Sequence, residues 1–147
     1  MKEKTIDYVL RTTWLTVQKM YNEEASKFGS TMATGFTLLS IDPEKGTPST
    51  SLGPKMGIEA TSLSRILKTM EKKGLITRKP NPSDGRGVII GLTDFGIEKR
   101  DYSREKVLLF NEAIKNNVSE EQLLNFYEVA EVINDIVCNK KIFNQSD

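Results

Sequence analysis

Apolar residues recur every three or four positions near the start of the chain, which is the spacing of one face of a helix. They are Ile6, Val9, Leu10, Trp14, Val17, Met20, Tyr21 and Phe28. This stripe predicts a helix from about Thr5 to Phe28, which Gly29 ends. Such a helix is roughly 30 Å long or more, and a small domain does not easily cover all of that apolar stripe by itself. We therefore expect a partner subunit to cover the excess.

Shorter helical patterns fill the middle of the chain. We predict a second helix from about Thr34 to Ile41, capped by Thr34 and followed by a loop that reaches Pro48. Two further helical patterns come next, separated by Gly57, and Gly74 is placed to end the second of them.

Two β-prone runs, residues 75–79 and 88–92, follow the fourth helix. They flank the polar segment 80–87, which is rich in proline, asparagine and glycine, so the pattern predicts a hairpin with a long polar tip. A helix, a tight turn, a second helix and a hairpin form a winged helix-turn-helix, which lays its second helix in the DNA major groove.

The last third of the chain predicts two more helices. Thr93 caps the first, which runs to about Lys115. Ser119 and Gln122 have the spacing of a capping box and open the second. The predicted fold class is mainly α with a small β-hairpin wing, organised as one domain over residues 1–147 in which about 34–96 form the winged helix-turn-helix.

The predicted second helix of the motif has two different faces. Its inward face carries Leu63, Ile66, Leu67 and Met70. Its outward face carries Thr61, Ser62, Ser64, Arg65, Lys68 and Thr69. Small hydroxyl side chains approach bases and phosphates closely, Arg65 can fork onto guanine, and Lys68 can neutralise a phosphate. The alternative is an ordinary amphipathic helix with a solvated polar face.

The predicted hairpin tip adds a second group of candidate DNA contacts. Lys79 and Arg86 flank it and are placed to reach a neighbouring minor groove. Asp84 lies two residues before Arg86, so we expect its carboxylate to orient the guanidinium. The alternative for Asp84 is a simple turn former ahead of glycine.

The distribution of charge supports a nucleic-acid partner. The 147 residues carry a net charge of only +1, and 37% of them are hydrophobic. Residues 55–86 nevertheless hold eight cations and three anions, a net charge of +5, which leaves −4 for the rest of the chain. A local basic patch suits a polyanion, although a lysine-rich solvated helix face has the same composition.

The composition also argues against several other classes of protein. The chain has no histidine and one cysteine, Cys138, and shows no nucleophile-base pair, phosphate-cradling loop or metal-ligand spacing, so we expect no enzyme, cofactor or metal. We find no signal peptide or membrane span and expect a cytoplasmic protein. A winged-helix module that binds protein is the other alternative, and the clustered cations at 65, 68, 79 and 86 oppose it.

Several of these segments together resemble the MarR family of bacterial transcriptional regulators. The likeness is strongest over Gly57–Thr93 and extends over nearly the whole chain. Its motifs are Ser62-Leu63-Ser64-Arg65, Met70-Glu71-Lys72-Lys73-Gly74-Leu75-Ile76, the Asp84-Gly85-Arg86 wing and Leu92-Thr93-Asp94-Phe95-Gly96. Ser62, Ser64, Arg65 and Lys68 match the family's recognition helix, and Asp84 and Arg86 match its wing.

The resemblance implies a homodimer whose terminal helices, about 1–33 and 97–143, interlock. Two recognition helices would then enter successive major grooves of a pseudo-palindromic operator in double-stranded DNA. Members of the family commonly repress transcription and leave DNA when a small aromatic effector binds. Trp14, Tyr21, Phe28 and Phe36 are the candidate ligand residues, with simple core packing as the alternative.

Three features qualify the resemblance. Gly53 and Pro54 stand where relatives have good helix formers, so we expect the first motif helix to be short or kinked. Gly87 follows the wing arginine and is expected to loosen the tip. Cys138 lies on an apolar helix, where structural burial is favoured over the oxidation sensing known for cysteines of some relatives.

Overall fold

The computed structural model describes residues 4–139 and 142–143, with Arg86 described by its backbone alone. The helices are α1 (Ile6–Ser26), α2 (Met32–Ser40), α3 (Ser49–Met56), α4 (Ala60–Lys72), α5 (Asp94–Lys115) and α6 (Glu120–Asn139). The strands are β1 (Thr47–Pro48), β2 (Ile76–Asn81) and β3 (Asp84–Leu92). Six helices with a small antiparallel sheet confirm the predicted fold class.

Side-chain caps define the starts of α1, α5 and α6, and the caps of α5 and α6 are those that the sequence predicts. The Thr5 side chain accepts a hydrogen bond from the Tyr8 amide at the start of α1, and Thr93 accepts one from Gly96 in α5. At α6, Ser119 and Gln122 form the reciprocal capping box, with N···O distances of 2.9 and 3.1 Å. Each side chain satisfies an amide that the first helical turn leaves unpaired.

The predicted N-cap of α2 is wrong. Thr31, not Thr34, is the N-cap, and its hydroxyl accepts from the Thr34 amide over 3.2 Å. Thr34 lies inside the first turn and is 7% exposed. Threonine suits both positions of this turn, so the residue type alone does not identify the cap.

The turn between α3 and α4 agrees with the prediction. Gly57 adopts a left-handed conformation with φ 65°, and α3 is short, with Pro54 inside it. Gly53 is buried beside the turn, where an added Cβ would lie 3.2 Å from the Ile58 carbonyl oxygen. The helix continues through the Gly-Pro pair to Met56 and ends at Gly57, and the absence of a side chain at Gly53 allows the Ile58 carbonyl to approach closely.

The sheet differs from the predicted hairpin in two ways. It has three strands in the order β1-β3-β2, because Thr47 and Pro48, predicted as loop, pair with Ile90 and Ile89. The hairpin is also tighter than predicted, since β2 extends to Asn81 and β3 begins at Asp84. A register shift between Pro80 and Asn81 accommodates the proline, which has no amide to donate.

One core holds α2, α3, α4 and the sheet together. Its buried side chains are Leu38, Ile41, Leu52, Leu63, Leu67, Met70, Leu75, Ile76 and Ile90. Helices α1 and α6, described over their full lengths, contain no buried residue. The chain divides into two compact units between Glu105 and Lys106. Over the described residues, no helix is both long and apolar enough to cross a membrane.

Candidate nucleic-acid interface

Helix α4 presents the two faces that the sequence predicts. Leu63, Leu67 and Met70 are buried at 5%, 3% and 0% exposure, and Ile66 packs against the same core. The opposite face is exposed along its whole length, and its residues are Thr61, Ser62, Ser64, Arg65, Lys68 and Thr69. These polar side chains are therefore free of core packing and stand together on one solvent-facing surface.

The first turn of α4 is open to an anion. The N-cap residue, Glu59, makes no side-chain capping hydrogen bond, so the first amides of the helix have no side-chain acceptor there. Helix N-termini with unpaired amides attract phosphate groups. Thr61 and Ser62 lie in this turn and are exposed, which places hydroxyl donors beside the amides.

The last turn of α4 is held by neighbouring elements. The Lys73 ammonium donates to the Gly29 carbonyl over 2.9 Å, and the Thr93 hydroxyl donates to the Gly74 carbonyl over 2.6 Å. Gly74 itself has φ 73°, the left-handed conformation that ends helices. The recognition helix is thus anchored at its C-terminal end and exposed at its N-terminal end.

The structure describes two of the three side chains of the wing that are predicted to act at the groove. Lys79 pairs with Ile89 in the ladder and is exposed. Asp84 opens β3 and is exposed. The side chain of Arg86 lies outside the described residues, so its groove contact and its orientation by Asp84 stay predictions.

Gly87 does not leave open space beside the wing tip. An added Cβ there would lie 3.3 Å from Asp84 Oδ2 and 3.4 Å from Asn81 Cβ. The absence of a side chain at this position allows the carboxylate to lie close to the backbone of β3. The expected loosening of the tip stays a prediction.

One contact of the interface was not predicted from the sequence. Arg78 Nε donates to Glu71 Oε2 over 2.9 Å and joins β2 to α4. The two residues are seven positions apart with the Gly74 turn between them. Opposite charges on either side of such a turn are the available sequence signal, but the pairing depends on how tightly the strand folds back.

The four candidate ligand residues do not form one cluster. The Tyr21 and Phe36 rings meet edge-on at 5.6 Å, and burial raises the pKa of Tyr21 above its usual 10.0. Phe28 instead meets Tyr102 at 4.8 Å. Trp14 and Phe28 are 47% and 55% exposed in the single chain. Their role in binding an effector stays a prediction.

The exposed cysteine corrects another expectation. Cys138 is exposed near the end of α6, whereas the apolar pattern around it favoured burial. The neighbouring Ile136 and Val137 are 47% and 57% exposed. The apolar pattern is therefore real, but nothing in the described part of this chain covers it.

A comparison of the sequence with family models matches residues 31–88 to the MarR family. The curated regulator YdgJ of Bacillus subtilis, described as an HTH-type transcriptional regulator, is 34% identical over 86 residues. That alignment covers 58% of this chain and 52% of YdgJ. The chain thus spans about half the length of this curated relative.

Solved structures resemble the chain over nearly all of its length. The MepR–DNA complex of Staphylococcus aureus superposes with a TM-score of 0.80 at 21% identity, covering 91% of this chain and 99% of MepR. PcaV of Streptomyces coelicolor, in complex with its natural ligand, gives a TM-score of 0.77 at 16% identity and covers 93% and 99% of the two chains. Both likenesses establish the fold.

Proposed function

We propose that this chain is a member of the MarR family, whose model matches its residues 31–88, and that it is a sequence-specific, double-stranded DNA-binding regulator of transcription. It acts in the bacterial cytoplasm as a homodimer, represses transcription, and leaves its operator when a small aromatic effector binds. The observation that carries the proposal is the exposed polar face of α4. A basic hairpin follows this helix, and residues 55–86, which include α4 and most of the hairpin, carry a net charge of +5.

The residues divide into two kinds of contact. Arg65 lies on the exposed face of α4 and reads a base edge, since a guanidinium pairs with guanine through two hydrogen bonds. Lys68, Lys79 and Arg86 contact phosphate or the minor groove and position the protein. Thr61, Ser62 and Ser64 approach the backbone and bases near the open N-terminus of α4. Asp84 orients the wing.

The proposed dimer and the proposed effector site are supported by different observations. Exposed apolar residues along α1 and α6 supply the surface for a second copy, and a dimer presents two copies of α4 to two half-sites. PcaV, a regulator of similar fold, has been solved with its natural ligand. Tyr21 and Phe36 form the aromatic pair that best suits a flat ligand in this chain.

DNA binding is the direct test. Fluorescence anisotropy with the full chain would compare duplex from its own upstream region with a scrambled duplex, each at low and moderate salt. We expect selective binding that weakens steeply with salt, because phosphate contacts release counterions. Absence of selectivity at both salt concentrations would contradict the proposal and favour the protein-binding module.

Two substitutions separate reading from positioning. Arg65→Ala is expected to weaken binding about fivefold to 150-fold, the equivalent of ~1–3 kcal/mol, and to relax the preference at one base position. Arg86→Ala is expected to weaken binding on every sequence. Arg11→Ala, which removes an exposed cation from α1, is the control and leaves both properties unchanged. Equal losses on all sequences for Arg65→Ala and Arg86→Ala would refute this division.

A further inference from the structure

Glu71 is an acidic residue in a position that should disfavour DNA. It is one of three anions among residues 55–86. It follows Lys68 by three positions and Ser64 by seven on α4, so the three side chains lie along one side of the helix. An unpaired carboxylate beside these residues would repel phosphate.

The carboxylate is held instead by Arg78 of the wing. The Nε···Oε2 distance is 2.9 Å, and the two side chains are 33% and 49% exposed for Arg78 and Glu71. Arg78 pairs with the buried Ile90 in the ladder and lies two residues beyond the buried Ile76. Alternate residues of a strand share a face, so Arg78 continues the face of β2 that carries the core residue Ile76, whereas Lys79 lies on the other face.

The ion pair lies beyond the end of the hydrophobic contact between α4 and the sheet. Ile76 is 3% exposed and belongs to the core, but residues 77–80 are all exposed. On β3 the core packing continues, since Ile90 opposite Arg78 belongs to the core and Val88 opposite Pro80 packs against it. On β2 itself, a polar contact takes the place of core packing beyond Ile76. Glu71 supplies that contact from the last turn of α4.

We propose that Glu71 is a positioning residue of the DNA interface, which acts through Arg78 to hold the wing at a fixed angle to α4. This inference rests on the proposed function and goes beyond it in two respects. An acidic residue then favours selective DNA binding, and Arg78 contacts a carboxylate of the protein instead of a DNA phosphate. The recognition helix and the wing then reach their grooves together without a separate ordering step.

The sign of one substitution distinguishes positioning from simple charge. Glu71→Gln removes a negative charge, so a purely electrostatic role predicts tighter binding to every duplex. A positioning role predicts about threefold to tenfold weaker binding to the selected duplex, with little change on scrambled duplex. Glu59→Gln is the matched control, because it removes an exposed carboxylate from the other end of α4 and should tighten both duplexes.

A charge exchange tests whether the pair, and not either residue alone, matters. The double variant Glu71→Arg, Arg78→Glu keeps the net charge and is expected to restore selective binding to within about threefold of wild type. Arg78→Gln alone should weaken selective binding while leaving the dependence of log K on log salt unchanged, since no phosphate contact is lost. A slope reduced by about one phosphate contact would mean that Arg78 binds DNA directly.

The measurement is fluorescence anisotropy with the full chain on its own upstream duplex and on scrambled duplex, with thermal unfolding of each variant as a check of folding. Weaker selective binding by Glu71→Gln, restored by the exchange, supports the inference. Tighter binding of both duplexes by Glu71→Gln, as for Glu59→Gln, overturns it, even if the exchanged variant does not fold. Loss of selectivity in the wild-type protein would instead overturn the proposed function, and the inference with it.

Discussion

The winged lobe and the terminal helices use their apolar residues in opposite ways. All nine buried core residues lie between Leu38 and Ile90. Among the described residues, the exposed large hydrophobic side chains all lie outside residues 29–94. The lobe thus buries its large hydrophobic side chains in its own core, whereas many of those on α1 and α6 are exposed to solvent.

This contrast shows that amphipathic periodicity has different consequences in the two regions. In α4 the apolar stripe packs against α2, α3 and the sheet and is buried in the core. In α6 the stripe Val129, Val132 and Ile136 remains about half exposed, at 55%, 54% and 47%. Complete burial of an exposed side chain of this kind is worth about 1.5–3 kcal/mol, so covering the half that remains exposed contributes roughly half of that for each residue. The proposed second copy would supply this cover.

The largest expected effect is on the core of the lobe. Met70→Ala is expected to lower the free energy of unfolding by about 2–5 kcal/mol, because Met70 is 0% exposed and the substitution leaves a cavity. Chemical denaturation followed by circular dichroism measures the loss. Met70→Leu, which conserves volume, should cost less than about 1.5 kcal/mol. Equal stability of Met70→Ala and wild type would mean that the lobe does not depend on its own core.

The next effect is on assembly, and it concerns α6. Val132→Asp is expected to raise the dissociation constant of the dimer at least about tenfold, because a buried charge without a partner is costly. Analytical ultracentrifugation over a range of concentrations measures it. Asn134→Asp adds the same charge two residues away on α6 and should leave assembly nearly unchanged. If both variants assemble like wild type, α6 does not form the dimer surface.

The smallest effect is a pH dependence confined to the lobe. Hydrogen bonds from the Lys45 and Glu44 amides, at 3.0 and 2.9 Å, hold the pKa of Asp42 below its usual 3.8. A lowered pKa in the folded state stabilises the fold above about pH 3.8 and loses that contribution as the pH falls through the folded value. The effect is small, because the carboxylate is solvated.

Asp42→Asn tests this pH dependence, since the amide oxygen can accept the same two hydrogen bonds without titrating. We expect the variant to lose less stability than wild type between about pH 5 and pH 3, as measured by denaturant unfolding. Asp135→Asn, which removes an exposed carboxylate from α6, is the control from the other region. The same acid sensitivity in wild type and Asp42→Asn would show that the hydrogen-bonded turn contributes nothing.

Much of the fold follows from local signals. Glycine at 57 and 74 ends α3 and α4 as predicted, because both residues need a positive φ. The caps at Thr93 and Ser119 are likewise confirmed. The exposed face of α4 is also as predicted, since a 3.6-residue period assigns each side chain to one face.

Errors arise where a local signal is shared or absent. Thr31 and Thr34 are equivalent as residue types, so the cap of α2 was misplaced. Strand β1 has two residues and includes Pro48, which is too short to show a period and contains a residue that usually argues against a strand. The predicted loop at the wing tip is too long, because a proline-rich segment suggests a loop even where its ends still pair as strands.

For this protein, the sequence by itself determined the order of the six helices and the hairpin, the glycines that end α3 and α4, and the polar face of α4, because these depend on periods and turn residues within a few positions. Tertiary structure alone decided three other features. It paired Glu71 with Arg78, added β1 to the sheet, and left Cys138 exposed. The ion pair depends on how tightly β2 folds back after the turn at Gly74, and β1 pairs with a strand that lies far along the chain. A one-dimensional pattern states only that a face such as that around Cys138 is apolar, not what covers it.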